Sequence, residues 1–296
     1  MKTGSGTARC ARGNIQMKVT YFGTTTLLFD DGKDQILFDA HLTRPSIGKY
    51  VLGAKAYTDT ALCDKLIRLH HMDRLRAVFI SHTHHDHVMD APYIAGQCGA
   101  KIYGSESAGN VARGGDIPEE NIAVFQHGSC FEIGAYRITV LKSLHSKPTR
   151  FNDDLGESVT EPLIQPAGLR EYKEGGSYDF LVEHGGQTIL IRPSFNYIKG
   201  QLDGIHADVL FLGAAGLANA EPGMVKTFFS ETVKKTGAGL VIPIHWDNFF
   251  SPLTRPIKGM PSFLEKTERV FYRLARYCEV NDVNFLIQYP RTSIEI

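Results

Sequence analysis

Ser81-His82-Thr83-His84-His85-Asp86-His87 places four imidazoles and one carboxylate within seven residues. The preceding stretch, Leu75-Arg76-Ala77-Val78-Phe79-Ile80, is mostly apolar and ends in β-branched and aromatic residues, which predicts a short buried strand. The His-rich stretch then lies on the turn at the carboxyl end of that strand, where sites of layered α/β folds are found. Imidazole and carboxylate suit zinc, manganese or iron, and no thiolate is present to close a structural zinc site. These residues predict an open, catalytic metal site.

This stretch resembles the His-x-His-x-Asp-His signature of the metallo-β-lactamase superfamily, with His82, His84, Asp86 and His87 in the signature positions. The resemblance implies that His82 and His84 hold a first metal, while Asp86 and His87 hold a second. His85 falls on a variable position of the pattern, so we expect it to point away from the metals. By the same likeness, the fold should be a four-layered αββα sandwich, an α/β architecture.

Two later histidines complete the pattern that the resemblance implies. His145 follows the strand-like residues 137–144 and would be the third ligand of the first site. His245 follows the apolar residues 240–244 and would complete the second site. We expect one or two divalent ions per chain, with zinc favoured and manganese or iron as alternatives.

A carboxylate that bridges both metals in the superfamily is missing from this sequence. The equivalent strand, 187–191, runs into Arg192-Pro193-Ser194 without an Asp. The site could therefore hold one metal, hold the second weakly, or use a substitute ligand. The candidates for that ligand are Ser194, Asp247, Asp153 and Asp154. Arg192 is either a fixed positive charge beside an anionic substrate or a surface residue.

Composition favours a compact enzyme and sets limits on its partners. The chain has 296 residues and 43% hydrophobic content, and no linker or low-complexity tract divides it. We therefore expect one hydrolase domain over residues 17–296, with residues 1–16 as a disordered tail or a misplaced start. Lysine plus arginine equals aspartate plus glutamate, at 32 each, so the composition gives no sign of a nucleic-acid partner. A small-molecule substrate is expected, and a homo-oligomer is left open.

Cysteine usage and hydropathy point to a reducing, aqueous compartment. The five cysteines are odd in number and scattered, without the spacing of metal ligands or of a disulfide framework. No segment has the length and apolarity of a membrane span, and the first sixteen residues lack the apolar core of a secretory signal. We expect a cytoplasmic protein that does not enter a membrane.

Three regions are candidates for substrate contact. The polar, Pro/Gly-punctuated stretch Ser146–Ser177 directly follows His145, and such a long loop beside a site is typically a lid or a pocket wall. Trp246 follows His245 and would stack on a ring or sugar face, or else cap the core. Arg192 and Ser194 are the other two candidates. Asp39, at the end of the strand-like residues 36–38, is expected either to orient a metal-bound imidazole or to be an ordinary turn residue.

The functional expectation is a metal-dependent hydrolase. A metal-bound hydroxide would attack a lactone, ester or amide of a small anionic metabolite, and Asp86 would orient it or move its proton. The alternatives are a phosphodiesterase or nuclease of the same fold, and a non-hydrolytic iron oxygenase or inactive metal-binding scaffold. Within the superfamily, the sequence most resembles the branch that includes ascorbate-6-phosphate lactonase, in the segments Phe22-Gly23-Thr24, Ile36-Leu37-Phe38-Asp39 and Asp90-Ala91-Pro92.

Overall fold

The computed structural model describes residues 17–148 and 153–296, so the predicted tail of residues 1–16 lies outside the described residues. The strands, in chain order, are β1 (Lys18–Gly23), β2 (Thr26–Asp30), β3 (Gln35–Phe38), β4 (Lys55–Ala56), β5 (Leu75–Phe79), β6 (Lys101–Gly104), β7 (Ile122–Val124), β8 (Cys130–Ile133), β9 (Tyr136–Lys142), β10 (Ala167–Gly168), β11 (Tyr178–His184), β12 (Gln187–Arg192), β13 (Val209–Gly213), β14 (Leu240–Ile244), β15 (Asn284–Phe285) and β16 (Thr292–Glu295). The α-helices are α1 (Ile47–Val51), α2 (Thr60–Leu69), α3 (His85–Val88), α4 (Ala91–Cys98), α5 (Glu106–Gly114), α6 (Pro222–Phe229) and α7 (Thr267–Val280).

Two seven-stranded sheets form the centre of the fold. The first sheet has the order β16-β1-β2-β3-β5-β6-β7, and the second has the order β15-β14-β13-β12-β11-β9-β8. Within the first sheet, β3, β5, β6 and β7 run parallel, and within the second, β12, β13, β14 and β15 do so. A short pair, β4 with β10, lies outside both sheets. The loops that follow β5, β9 and β14 carry the predicted metal ligands.

Alternation along the strands creates two apolar faces on each sheet. On β2, Leu27 and Phe29 face the other sheet, whereas Leu28 faces the helices, as the two-residue repeat of a strand requires. The sheets meet through aromatic contacts such as Phe38 with Phe180, whose ring centroids are 5.4 Å apart. The outer face of the first sheet packs against α2, α4 and α5, and that of the second against α6 and α7. The molecule is therefore a four-layered αββα sandwich, as predicted.

The structure confirms most elements that the sequence predicts and adds several short ones. The strand-like segments predicted before His82, His145, Arg192 and His245 are β5, β9, β12 and β14. The sequence did not indicate α1, α3 or β16. The helix α3 matters most, because this single turn lies within the His-rich stretch, begins directly after His84 and carries Asp86 and His87. The one-domain interpretation of residues 17–296 remains our proposal, supported by the pairing of β1 with β16 in one sheet.

The structure gives the state of four cysteines and allows a search for helices long enough to cross a membrane. Of the cysteines within the described residues, Cys63, Cys98, Cys130 and Cys278 are free thiols. Across residues 17–148 and 153–296, no helix has both the length and the apolar character needed to cross a bilayer.

Candidate metal centre

The first set of candidate ligands consists of His82, His84 and His145. One ligand atom from each lies within 4.8 Å of the others. His82 and His84 come from the loop after β5, and His145 comes from the loop after β9, so the two sheets contribute together. His145 Nδ1 lies 3.1 Å from the carbonyl oxygen of Ser146. The structure thus brings together the three residues that the sequence assigned to a first site.

The second set consists of Asp86, His87 and His245, whose ligand atoms also lie within 4.8 Å of one another. Asp86 Oδ2 is 3.6 Å from His87 Nε2 and 3.4 Å from His245 Nε2. The two sets are adjacent, because the ring centroids of His82 and His87 are only 3.7 Å apart. His245 adopts a left-handed backbone conformation, with φ of 58°, directly after β14.

Asp39 orients the imidazole of His87 through a contact with its Nδ1 atom. Its Oδ2 lies 2.8 Å from His87 Nδ1 and also accepts hydrogen bonds from the hydroxyls of Thr25 and Ser81. Its Oδ1 accepts the backbone N–H of Ser81. A carboxylate on Nδ1 fixes the tautomer in which Nε2 is the free ligand atom. The predicted hydrogen bond to an imidazole of the site is therefore confirmed, and the ordinary-turn alternative is set aside.

Replacing Asp39 with Asn is expected to weaken metal binding by about 10- to 100-fold, the usual effect of losing such an outer carboxylate. In the Asn variant, an amide N–H group could face Thr25, Ser81 and His87, which now share Asp39 Oδ2 as their acceptor. The tautomer of His87 would then no longer be fixed. A competition titration with a chromophoric chelator measures this change. Asp31→Asn is the matched control, because Asp31 forms a similar pair with His184, at 3.1 Å, outside the metal centre. Equal affinities in the two variants would contradict the role of Asp39.

The donor chemistry of both sets fits a divalent cation. His82 Nε2 and His245 Nδ1 are buried and have no hydrogen-bond partner among the described residues. Burial lowers the pKa of His82 well below its usual value, and burial together with nearby imidazoles lowers the pKa of His145 to about 3. Burial opposes ionisation of Asp86, but the neighbouring histidines outweigh it and hold the pKa of Asp86 well below its usual value. His82 and His145 are therefore neutral near pH 7, which is the form of imidazole that metals bind, whereas the Asp86 carboxylate outweighs burial and raises the pKa of His245.

His85 belongs to neither set of candidate ligands, which agrees with the expectation that it points away from the metals. It is buried, and its ring lies 5.6 Å from the ring of Tyr50 and 6.3 Å from that of Phe250, centroid to centroid. Burial lowers its pKa to about 4, so it is neutral near pH 7. It contributes to the wall of the cavity that opens beside the metal ligands.

A cavity of about 850 Å³ opens onto both sets of ligands. His84, Asp86, His145 and His245 line it. Much of the remaining wall is apolar, and its main apolar members are Tyr50, Leu169, Phe195, Met224, Phe249 and Phe250. The sequence singled out none of these six side chains, because isolated apolar residues on loops and short helices carry no signal of their own.

The stretch 146–177 forms one wall of this cavity within its described part, as predicted. Its contribution comes from residues on both sides of the undescribed 149–152, including Lys147, Asp153, Asp154 and Arg170. Arg150, a basic residue of this stretch that could bind an anionic group, lies outside the described residues. Ser194 also lines the cavity, from the loop after β12, and its contact with a substrate stays a prediction.

Arg192 is not placed to contact a substrate, which corrects that expectation. Its guanidinium is buried and lies 3.0 Å from Asp179 Oδ2 on the neighbouring strand β11, and it donates to the carbonyl oxygen of Asn196. Because β11 and β12 pair antiparallel, the register brings the two side chains together at one end of the sheet. Burial raises the pKa of Asp179 to about 6, with Arg192 opposing that rise.

Trp246 also fails as a substrate contact. It is 5% exposed and belongs to the core between the sheets, where its ring packs against Phe271 with a centroid distance of 5.2 Å. Asp247 is removed from the substitute ligands, because it forms a buried ion pair with Arg44 at 2.8 Å and accepts hydrogen bonds from Thr24 and Tyr21. The sharp turn at His245 sends both of these residues away from the cavity.

Comparison with known proteins gives a family and a fold. A family model described as Beta-lactamase superfamily domain matches residues 35–246. A UPF0173 metal-dependent hydrolase from Roseiflexus sp. (strain RS-1) is 23% identical over 231 residues, which cover 78% of this chain and 86% of that protein. Among solved structures, the metallo-beta-lactamase fold protein YhfI from Bacillus subtilis is 18% identical with a TM-score of 0.57, covering 95% of this chain and 99% of that one. CmlA, a diiron beta-hydroxylase from Streptomyces venezuelae, is 12% identical with a TM-score of 0.60, covering 95% of this chain and 54% of that one.

Proposed function

This chain belongs to the beta-lactamase superfamily, and we propose that it is a metal-dependent hydrolase that cleaves a carbonyl-centred bond in a small molecule. The observation that carries the proposal is the pair of adjacent ligand sets, three histidines and a carboxylate with two histidines, facing one cavity. The described residues provide no nucleophile elbow beside them, so an activated water is the better nucleophile. The likeness to the ascorbate-6-phosphate lactonase branch stays a prediction.

The chemistry divides between the bound ion and this chain's own residues. A divalent ion, when bound, lowers the pKa of a coordinated water toward neutrality and polarises the bond under attack. His82, His84 and His145 would hold one ion, and Asp86, His87 and His245 would hold a second. Asp86 Oδ2 faces His87 and His245, which leaves Oδ1 as the atom that accepts a proton in the reaction.

The cavity suggests a substrate with an apolar body and one anionic group. The apolar wall favours burial of a ring or hydrocarbon portion. Arg170, whose guanidinium carbon is 5.1 Å from the ring centroid of Tyr50, lines the same cavity and is the basic group best suited to a carboxylate or phosphate. Arg192 forms an ion pair with Asp179, so we assign to Arg170 the anion-binding role that was expected of Arg192. A lactone, ester or amide of such a molecule is the proposed substrate class.

Metal removal is the test of this proposal. The protein should be purified without chelator or metal-affinity resin, its metals measured by elemental analysis, and its activity assayed before and after chelation. The substrate panel should contain lactones, aryl esters, amides and bis(p-nitrophenyl) phosphate. We expect hydrolysis of a carbonyl substrate that is lost on chelation and restored by zinc, manganese or iron.

The other outcomes of this test are equally informative. Cleavage of the phosphodiester alone would replace the proposal with a phosphodiesterase. Bound iron with oxygen uptake and no hydrolysis would favour an oxygenase, and failure to bind any metal after reconstitution would leave a scaffold without this catalysis. We propose zinc as the native metal because imidazoles and a carboxylate, without a thiolate, are the donors typical of catalytic zinc sites.

A further inference from the structure

The turn between β1 and β2, residues 23–25, contacts both histidines of the second set. The backbone N–H of His245 donates to the carbonyl oxygen of Thr24 and also lies 3.2 Å from the hydroxyl of Tyr21. On the other side of the turn, Thr25 Oγ1 lies 2.9 Å from His87 Nδ1. The β1–β2 turn is therefore an outer support of the second set.

A buried ion pair holds this turn in place. Asp247 Oδ2 lies 2.8 Å from Arg44 Nη1, and both side chains are fully buried. Asp247 Oδ1 accepts hydrogen bonds from the backbone N–H of Thr24 and from the hydroxyl of Tyr21, at 2.7 and 3.0 Å. Arg44 Nη2 donates to the carbonyl oxygen of Phe22 at 2.9 Å. The pair thus fastens the β1–β2 turn to the segment that follows β14.

The backbone on both sides of this contact is strained. The angle φ is 53° at Thr24 and 58° at His245, in the left-handed region that residues with a side chain rarely adopt. Such a conformation costs free energy and persists only where the surrounding structure imposes it. The hydrogen bonds that Asp247 and Tyr21 make to the turn supply that constraint. Without them, we expect the backbone at His245 to relax, which would move its imidazole.

We propose that the Arg44–Asp247 pair positions His245 for a second metal ion and acts through the β1–β2 turn. This inference rests on the proposed function, since it requires that the chain bind metal. Neither Arg44 nor Asp247 lines the cavity, so both are positioning residues and not ligands. The strand ending at Arg192 provides no bridging carboxylate, so the second ion depends on Asp86, His87 and a correctly placed His245.

Gly23 offers a test that leaves both members of the ion pair unchanged. Its φ is 100°, and a Cβ atom there would overlap Arg44 Nη2 and lie 2.6 Å from Asp247 Oδ2. Gly23→Ala must therefore displace the guanidinium or the turn. Gly32→Ala is the matched control. Gly32 has a similar φ of 87° in the next turn of the same sheet, but its Cβ position has open space around it within the described part of the chain.

Competition titrations with a chromophoric zinc chelator should resolve the two ions in wild type and in both variants. We expect Gly23→Ala to bind the second ion about 10- to 100-fold more weakly, the usual effect of losing an outer partner, and the first ion with wild-type affinity. Gly32→Ala should match wild type for both ions. Alanine is strained at both positions, so both metal-free variants should unfold at a lower temperature. A role confined to stability would therefore not separate the two variants in zinc affinity.

Tyr21→Phe covers the case in which Gly23→Ala does not fold. It removes only the hydroxyl that meets the N–H of His245 and the carboxylate of Asp247, and it should weaken the second ion about 10-fold. Wild-type affinity for the second ion in the variant that folds, equal weakening of both ions, or an equal loss in Gly32→Ala would overturn the inference. A wild-type chain that takes up no zinc contradicts the proposed function, whereas uptake of a single ion overturns this inference alone.

Discussion

Replacing His82 with alanine is expected to lower kcat/KM for the proposed hydrolysis by at least about 10³-fold, because a metal ion supplies several kcal/mol of transition-state stabilisation and each 1.4 kcal/mol is tenfold in rate. The side chain is almost fully buried, and its Nε2 lacks a hydrogen-bond partner in the described part of the chain. Its place beside both His84 and His87 means that its loss disturbs each ligand set. Steady-state kinetics on the substrate identified by the panel and elemental analysis of the variant would measure both effects.

The fold of this variant should remain intact. Circular dichroism and the thermal unfolding transition, both measured without metal, should stay close to those of wild type. His206→Ala is the control, because His206 is exposed and its contacts are with Asp208 and the carbonyl of Thr236, away from the cavity. Normal turnover in the His82 variant would refute the metal mechanism, whereas a loss in both variants would indicate a general defect.

The largest expected effect on stability comes from Arg192→Met. Arg192 and Asp179 are 2% and 1% exposed, so the substitution leaves a buried carboxylate without its partner. Breaking one side of a buried ion pair typically costs about 3–5 kcal/mol of unfolding free energy. The matched surface control is Arg76→Met. Arg76 also lies 2.8 Å from an aspartate, Asp34, but is 61% exposed, and its loss should cost less than about 1 kcal/mol.

The cost of Arg192→Met should depend on pH with a definite sign. Burial raises the pKa of Asp179 to about 6 in the folded protein, above its value of about 4 in an unfolded chain. The folded state therefore holds this proton more tightly, and the resulting stabilisation is present at low pH and lost as pH rises toward 6. Because Arg192 opposes the rise, its removal should raise the pKa of Asp179 further. Urea unfolding should then show a larger loss at pH 8 than at pH 5, and a loss that is equal at both would contradict this account.

The candidate metal ligands could be named from the sequence because four of them match the His-x-His-x-Asp-His signature of the superfamily, and the resemblance implied His145 and His245 after two later strand-like segments. The structure brings these six residues together in two sets. Several strands of the two large sheets were predicted from short apolar runs. Such runs are visible in the sequence because a strand that is covered on both faces buries nearly every side chain.

The remaining assignments depended on contacts between distant parts of the chain. Arg192 looks like a surface or substrate-binding residue until the register of β11 and β12 places Asp179 beside it. Trp246 follows a ligand, but the left-handed turn at His245 directs it into the core. Asp154 contacts His84 only because of the path of its loop, which no local pattern in the sequence reveals. None of these facts leaves a pattern in neighbouring residues.

Each ligand set combines residues that follow β5 in the first sheet with a histidine that follows a strand of the second. Neither sheet alone therefore carries a complete centre, and the centre is assembled only when the two sheets dock. Contacts between residues so far apart in the sequence form slowly, because the chain must first lose conformational entropy in closing long loops. An ion that binds the assembled centre more tightly than the unfolded chain stabilises the docked arrangement of the two sheets. Its concentration therefore shifts the equilibrium between the folded and the unfolded population.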